Sequence, residues 1–251
     1  MEQVKRLMII LLIFLPLQLV SGQDKIVTKP SHRWLAGIQT GGSFSIAFSD
    51  ESWRSLIFNN MSKLQIENFN NQLKRGWHLN GDIHYMISDK FGLGAQYSFF
   101  TSSAKTDFIV SSHGYIPTFV CVELKGNQYI NYTGLSVIFR EWTDKNQKLL
   151  LTKMFSVGHV DYRDEYRINA TFNLDNALVK GNTWGANFRI SMDYFLISWL
   201  SIGANVGFMY ARIAKLHISD KKTTQTVELD KKYYQSLARF DCSLGIRFTF
   251  L

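Results

Sequence analysis

The sequence predicts an all-β protein, an eight-stranded antiparallel transmembrane up-and-down β-barrel. Three observations predict this fold class. A short apolar segment near the amino terminus indicates export, apolar and polar residues alternate with period two beyond residue 34, and the connections between the alternating segments are short and long in turn. Each feature is typical of β-barrels of the bacterial outer membrane.

The amino-terminal segment has the pattern of a signal peptide. A basic pair precedes an apolar run over 7–20, and two small residues, Ser21 and Gly22, follow the run. The run is shorter than the roughly 20 apolar residues that a transmembrane helix needs. We therefore expect residues 1–22 to be removed as a signal peptide and residues 23–251 to form one domain, located in the outer membrane.

The composition limits the partners. The net charge is +8, but the lysine and arginine residues are scattered and form neither a run nor a stripe, so nucleic acid is not expected. We expect membrane lipid and lipopolysaccharide as partners, because the positive charge favours lipid headgroups. Cys121 and Cys242 are the only cysteines, and we expect both to be unpaired.

The first three strands are predicted over 35–48, 76–88 and 91–101. In each segment alternate positions are apolar, and we assign them to the outward face. The outward residues of these strands are Ile38, Phe44, Ile46, Phe48, Trp77, Leu79, Ile83, Tyr85, Ile87, Phe91, Leu93, Ala95, Tyr97 and Phe99.

The fourth and fifth strands, predicted over 129–140 and 149–161, lose this phase. Lys153 and His159 conflict with either choice of outward face. A β-bulge shifts the alternation by one residue. We therefore expect bulges in these two strands.

The last three strands, predicted over 184–196, 200–212 and 234–250, alternate most regularly. In the final strand the even positions from Phe240 to Phe250 are apolar apart from Cys242, and the odd positions carry most of the charge. This pattern gives each strand one apolar face and one polar face.

The connections alternate in length. Short turns are predicted at 88–90, 141–148 and 197–198, and long links at 50–75, 102–128, 163–181 and 214–233. Outer-membrane barrels have short periplasmic turns and long outer loops, so both termini lie at the periplasmic rim and the strand number is even. Residues 125–127 could form a further hairpin turn, which would give ten strands. The favoured interpretation treats them as an extension above the membrane.

Alternation alone does not decide which face points outward, because a soluble lipocalin-like barrel buries its apolar face. Aromatic residues gather in two belts at the ends of the apolar face, as at membrane interfaces. The belt near the long loops contains Phe48, Trp77, Phe99, Trp184, Tyr210 and Tyr234, and the belt near the short turns contains Trp34, Tyr85, Phe91, Tyr194 and Phe248. The polar face is rich in small residues, which a narrow lumen requires, and its charges have both signs, so they can pair. These features favour the membrane barrel. The charged residues of the polar face are Asp82, Arg189, Asp193, Arg239, Asp241 and Arg247.

One constellation on the polar face suggests chemistry. His78, Asn80, Asp82 and His84 alternate along a single strand. Such positions are about 7 Å apart, too far to hold one ion. The sequence also has no G-x-S-x-G nucleophile motif. We therefore expect no catalytic residues, no metal site, no cofactor and no enzymatic activity.

A helical spacing occurs in the first long link. The residues that follow it are Trp53, Leu56, Ile57, Phe58 and Met61. Such a helix could bind a partner or lie on the membrane. A lid packed on the barrel mouth is the favoured interpretation.

Three segments resemble the PorT-like outer-membrane β-barrel family of Bacteroidetes. They are KFGLGAQYSFF from Lys90, YINYTGLSVIF from Tyr129 and LGIRFTF from Leu244. The resemblance extends over the mature chain and implies an eight-stranded barrel; the named member of the family is linked to a secretion and gliding apparatus. Outer-membrane barrels usually end in an aromatic residue, whereas here Leu251 follows Phe250 and displaces this signal by one position. The chain also has Thr133-Gly134 where the family commonly has proline.

These observations predict a monomeric, non-enzymatic barrel. We expect the Asp/Arg network to plug its lumen, and we expect its loops or rim to dock a partner, such as a protein of a secretion or envelope apparatus. A small-solute pore is the alternative. A lipid-modifying outer-membrane enzyme is a further alternative.

Overall fold

A computed structural model describes residues 33–46, 61–112, 118–144, 146–170, 173–219, 224–231 and 234–250. The predicted signal peptide lies outside these residues. The elements in chain order are β1 (Trp34–Ser45), α1 (Lys63–Leu73), β2 (Arg75–Met86), β3 (Phe91–Ser112), β4 (Thr118–Trp142), β5 (Leu149–Ala170), β6 (Asn173–Ile197), β7 (Leu200–Ile213), β8 (Lys215–Ser219), β9 (Thr224–Glu228), β10 (Gln235–Ser236) and β11 (Arg239–Phe250).

Eight of the strands close into a ring. Each strand from β1 to β7 pairs antiparallel with the next, β7 pairs with β11, and β11 pairs with β1. The short strands β8 and β9 continue the sheet from the far end of β6, and β10 pairs with β7. The predicted eight-stranded up-and-down barrel is confirmed. The ten-strand alternative is wrong, because residues 125–127 lie within β4 and pair with both neighbours.

Four strands are much longer than the sequence predicted. The strands β3 and β5 have 22 residues each, and β4 and β6 have 25 each. The predicted long links over 102–128 and 163–181 are therefore mostly strand. We call this part the extension; it comprises residues 102–112, 118–128, 162–170 and 173–181 together with β8 and β9. The rim from which it rises is the long-loop rim, and the opposite end is the short-turn rim.

The extension was not predicted because the inner face is apolar there and the outer face is charged. Phe108, Val122 and Leu124 are buried on the inner face, whereas Lys105 and Lys125 lie exposed on the outer face. The period of two continues, but the apolar residues are now on the inner face instead of the outward face.

The predicted bulges in the fourth and fifth strands are absent. The strand β5 pairs with β4 and with β6 in unbroken register, and the one register shift among the described pairings lies between Phe195 and Ile197. Lys153 and His159 simply lie on the outward face. His159 stands opposite Trp184 near the long-loop rim, and Lys153 lies four residues from the start of β5, where its long side chain can reach a polar interface.

The apolar faces point outward, as predicted. Leu135 is 79% exposed, Trp184 71% and Leu244 70%, whereas the charged residues of the polar face are buried. The alternative in which the apolar face is buried is therefore wrong. Small residues on the inner face make room for this arrangement, because a side chain at Gly203 would collide with the Asp193 carboxylate.

The helix α1 packs at the long-loop rim. Ser62 and Gln65 form a capping box at its start: Ser62 N–H donates to Gln65 Oε1 at 2.9 Å, and Gln65 N–H donates to Ser62 Oγ at 3.3 Å. Phe69 and Leu73, four residues apart, are buried on one helix face. In a strand continuing β2 the same two side chains would point outward, so the apolar spacing selects a helix here.

This helix begins after the segment in which a helix was predicted. Of the residues that suggested it, only Met61 is described, and it is buried in the same apolar cluster as Phe69; Trp53, Leu56, Ile57 and Phe58 lie outside the described residues. The lid predicted from those residues therefore stays a prediction, and α1 is a separate helix that the sequence analysis did not predict.

Candidate functional site

The barrel interior has three layers, and the first lies at the short-turn rim. It consists of apolar side chains from β1, β2, β4 and β5. Leu35, Met86, Ile138 and Met154 form one buried cluster, and Leu150 is also fully buried. The buried Arg140 lies at the same rim, where its Nε donates to the Asp89 carbonyl at 2.6 Å.

The middle layer is a network of aspartates and arginines. Arg189 Nη1 lies 2.8 Å from Asp82 Oδ1. Arg247 contacts two carboxylates, with Nε 3.0 Å from Asp193 Oδ2 and Nη1 3.7 Å from Asp82 Oδ2. Gln39 joins the network, because its Nε2 donates to Asp82 at 3.1 Å and its Oε1 accepts from Arg189 at 2.6 Å.

A second ion pair lies in the same layer. Arg239 Nε is 3.1 Å from Asp241 Oδ1, and Arg239 Nη2 donates to Ser98 Oγ at 2.7 Å. The guanidinium carbon also stands 5.0 Å from the centre of the Phe100 ring, a cation–π distance. The six charged residues predicted for the polar face are thus all buried and all in ion pairs, three arginines with three aspartates. A buried charge is stable only with such partners.

The four polar residues of β2 do not converge. His84 Nε2 is 2.8 Å from Ser136 Oγ, and its Nδ1 is 3.4 Å from Asp82 Oδ2. His78 Nδ1 instead lies 2.8 Å from Ser43 Oγ. The structure therefore gives the two histidines separate partners. Within the described ranges, no group of three His, Cys, Asp or Glu residues is arranged to hold a metal ion.

Hydroxyl groups extend the network toward the long-loop rim. Tyr132 Oη donates to Ser156 Oγ at 2.8 Å, and Ser156 Oγ donates to Gln96 Oε1 at 2.8 Å. Further out, the buried carboxylate of Asp164 accepts hydrogen bonds from Tyr162 and Tyr166 at 2.5 and 2.6 Å. Asp164 was not predicted to be a buried polar residue, because it falls in the segment that was interpreted as a loop.

The third layer is apolar and lies under α1. The rings of Phe69 and Tyr166 are 6.3 Å apart. A Cβ at Gly126 would lie 2.6 Å from Phe69 Cζ, so only glycine lets this ring sit against β4. Phe100 and Leu124 are fully buried in the same cluster. This layer lies at the long-loop end of the interior.

Glutamine side chains of α1 cover the free edge of β3. Gln72 Nε2 donates to the Lys105 carbonyl at 3.1 Å, and the Lys105 N–H donates to Gln72 Oε1 at 3.0 Å. Gln65 Nε2 donates to the Asp107 carbonyl at 3.3 Å. The side-chain amide of Gln72 thereby replaces the pair of hydrogen bonds that a neighbouring strand would make.

Aromatic rings mark both ends of the outward apolar face. Trp34 and Tyr85 are 5.1 Å apart at the short-turn rim. Trp77 and Phe99 are 6.3 Å apart at the long-loop rim, where Trp184 also lies exposed. These five residues were predicted to belong to the two aromatic belts. Phe48, assigned to the same belt, lies outside the described residues.

Basic residues form two rows on the outer face of the extension. In the first row Arg163, Lys180 and His217 stand directly opposite one another on β5, β6 and β8. In the second row Lys105, Lys125 and Arg167 stand opposite one another on β3, β4 and β5. We call these the inner and the outer basic row. The same residues are scattered along the sequence, and they come together only in the strand register.

Carboxylates on the same face contact some of these cations. Glu123 lies 2.7 Å from Lys125 and 3.0 Å from Lys105, and these contacts lower the pKa of Glu123 and raise the pKa of Lys105. Glu165 forms an ion pair with Arg163. The two cysteines are unpaired and exposed: Cys121 lies in the extension and Cys242 on the outward face of β11.

The ring of strands, apolar outside and charged inside, defines an eight-stranded antiparallel β-barrel. Among the described residues, no helix has the length and apolar character to cross a bilayer. No protein-family model matches the chain, and no curated protein matches it.

Solved structures of outer-membrane proteins are similar to it. A major outer membrane protein from Thermus thermophilus has 12% identity and a TM-score of 0.48, covering 87% of this chain and 100% of that chain. The outer membrane protease OmpT from Escherichia coli has 11% identity and a TM-score of 0.45, covering 90% and 99%. The outer membrane protein OprG from Pseudomonas aeruginosa has 14% identity and a TM-score of 0.43, covering 87% and 98%.

Proposed function

We propose that the chain is a monomeric outer-membrane β-barrel protein that acts as a closed, non-enzymatic scaffold. The observation that carries this proposal is the exposed apolar surface of all eight ring strands, with residues such as Leu135 and Leu244 more than two-thirds exposed. Soluble monomers rarely expose apolar patches beyond a few hundred Å². Contact with the hydrocarbon core of a bilayer would remove this apolar surface from water.

The height of the apolar face supports this location. Trp184 and Tyr194 both lie exposed on the outward face of β6, ten residues apart. At about 3.3 Å per residue and roughly 40° of tilt, this separation spans about 25 Å, the height of the apolar band of outer-membrane barrels. The predicted signal peptide over 1–22 would supply the export step.

The filled interior supports a plugged lumen. Apolar layers close both ends, and the middle layer pairs Arg189, Arg239 and Arg247 with carboxylates. A water-filled channel would leave these groups solvated rather than buried against one another. We therefore favour a plugged barrel over a small-solute pore.

A docking role follows from the outer parts of the molecule. A rigid barrel carries function mainly on its loops and rims, and here α1 and the extension form a large ordered surface beyond the long-loop rim. The resemblance to the PorT-like family supports a partner from a secretion or envelope apparatus. Crosslinking in intact cells, followed by identification of the captured proteins, tests this role.

Conductance and solubility test the barrel itself. The mature protein should require detergent to stay folded, should migrate differently on gels before and after heating, and should give no unit conductance steps in planar bilayers. Stable unit steps would replace the plugged barrel with the small-solute pore. A folded monomer in plain buffer would overturn the membrane location.

A further inference from the structure

We propose that the two basic rows bind the phosphate groups of lipopolysaccharide in the outer leaflet. The inference rests on the proposed membrane location and deepens it, because it assigns a lipid to a defined set of residues. Its starting point is the strand register, which places three basic residues directly opposite one another in each row.

Like charges directly opposite on neighbouring strands destabilise a sheet. Arg163 faces Lys180, and Lys125 faces both Lys105 and Arg167. The repulsion is only partly relieved within the protein, since Glu123 and Glu165 contact Lys105, Lys125 and Arg163. Anions bound from outside would relieve the rest.

Arg167 and Lys180 are the two cations best placed for external anions. Both are exposed, and in the described part of the chain no carboxylate lies within ion-pair distance of either. Arg167 lies four residues beyond Arg163, the residue opposite Lys180. The two cations are therefore about 13 Å apart along the strand direction, too far for one phosphate and suited to two.

The heights of the rows favour lipopolysaccharide over phospholipid. Lys180 lies four residues beyond the interfacial Trp184 on β6, which is about 10 Å in height at roughly 40° of tilt. Arg167 lies eight residues beyond His159, which faces Trp184, so the outer row stands about 20 Å above the same level. Phospholipid headgroups occupy only about 5–7 Å on each side of the bilayer. A glycolipid with phosphates on both its lipid anchor and its core sugars reaches both heights.

The test compares two double variants of the full mature chain, folded in neutral detergent. In Arg167→Gln/Lys180→Gln the uncompensated cations of both rows are removed without breaking an ion pair. In the control, Lys90→Gln/Lys148→Gln, two exposed lysines of the short-turn rim are removed. Each protein is titrated with purified lipopolysaccharide and with the same lipopolysaccharide after chemical removal of its phosphates, and binding is followed on native gels.

We expect the row variant to need at least tenfold more lipopolysaccharide for half-saturation, because each of the two lost cations strengthens binding to an anionic lipid surface about fivefold. The control should match the wild type, and dephosphorylated lipopolysaccharide should bind weakly to all three proteins. Equal half-saturation for the two variants, or binding that ignores the phosphates, overturns the proposal. Should soluble anionic polysaccharide bind through the rows while lipopolysaccharide does not, the lipid assignment is wrong.

Two further measurements distinguish a failure of the basic-row assignment from a failure of the membrane location. Heat-modifiable migration shows that each variant is folded, and if the row variant does not fold, the phosphate dependence of the wild type alone decides the question. A wild-type chain that stays folded in buffer without detergent contradicts the membrane location. A detergent-dependent chain that binds lipopolysaccharide without regard to phosphate contradicts only the assignment of the basic rows.

Discussion

Arg189 on β6 reaches Asp82 on β2 across the full width of the barrel, with 2.8 Å between Nη1 and Oδ1. The two strands are four places apart in a ring of eight, so this ion pair joins opposite walls. Arg247 on β11 contacts the same carboxylate from a third strand. The pairing therefore connects opposite walls inside the barrel, and its loss should destabilise the whole ring.

Replacing Asp82 by Asn should destabilise the barrel strongly. The change leaves Arg189 with no carboxylate in its ion pair and Arg247 with one fewer, and removing one member of a buried pair costs about 3–5 kcal/mol. Denaturant unfolding in detergent micelles, followed by tryptophan fluorescence, measures the loss. Asp161→Asn, at an exposed carboxylate, is the matched control and should change the free energy of unfolding by less than about 1 kcal/mol.

Reversing one charge of the second ion pair should cripple folding. Arg239→Glu places two buried carboxylates side by side, and Asp241→Arg does the same with two guanidinium groups. The double exchange Arg239→Glu/Asp241→Arg restores opposite charges and should recover part of the folded yield. Heat-modifiable migration reports the folded fraction, and single variants that fold like the wild type would contradict the pairing inside the barrel.

Truncating Phe69 should release the lid while the barrel stays closed. Phe69 is buried against Tyr166 and β4, and a buried Phe→Ala change costs about 3–5 kcal/mol. Because this cost falls on α1, hydrogen exchange should rise over 61–74 and stay slow in β2. Leu64→Ala serves as the control, since Leu64 is 66% exposed on the same helix; equal exchange in the two variants would argue against a packed lid.

The two cysteines provide an internal test of the bilayer position. Cys121 lies on the extension, and Cys242 lies on the outward apolar face of β11 between Gly42 and Val206. A water-soluble maleimide added to intact cells should label Cys121 and leave Cys242 unmodified until the protein is denatured. Rapid labelling of both cysteines would place the apolar face in water.

Acid should weaken the ion-pair contacts between β3 and β4 in the extension. Hydrogen bonds from Lys125 and Lys105 lower the pKa of Glu123, so the contribution of these contacts to stability is complete above the usual range of a glutamate pKa. It is lost as the pH falls through the lowered pKa of the folded state. Hydrogen exchange of β3 and β4 measured at neutral and at acid pH should show the change, and Glu123→Gln should remove the difference.

The strand faces were predictable because lipid-facing positions such as Leu244 and Ile246 leave an unbroken apolar alternation in the sequence. The extension was not predictable, because Phe108 and Leu124 put apolar side chains on the inner face where the strands pass beyond the aromatic belt. The charged lining could be assigned to the interior from its mixed signs together with the small residues beside it and the aromatic belts of the other face. The particular partners could not, since the contact of Asp82 with Arg189 depends on ring closure and strand register.

The amide of Gln72 has a consequence for how copies of this chain coexist. Beyond Thr101 the strand β3 has no neighbour from β2, so its N–H and C=O groups at Lys105 would project into water without the helix. An uncovered strand edge is a template on which another chain can add a strand. By filling that position with its own side chain, α1 covers the strand edge at Lys105 against the addition of a strand from another chain.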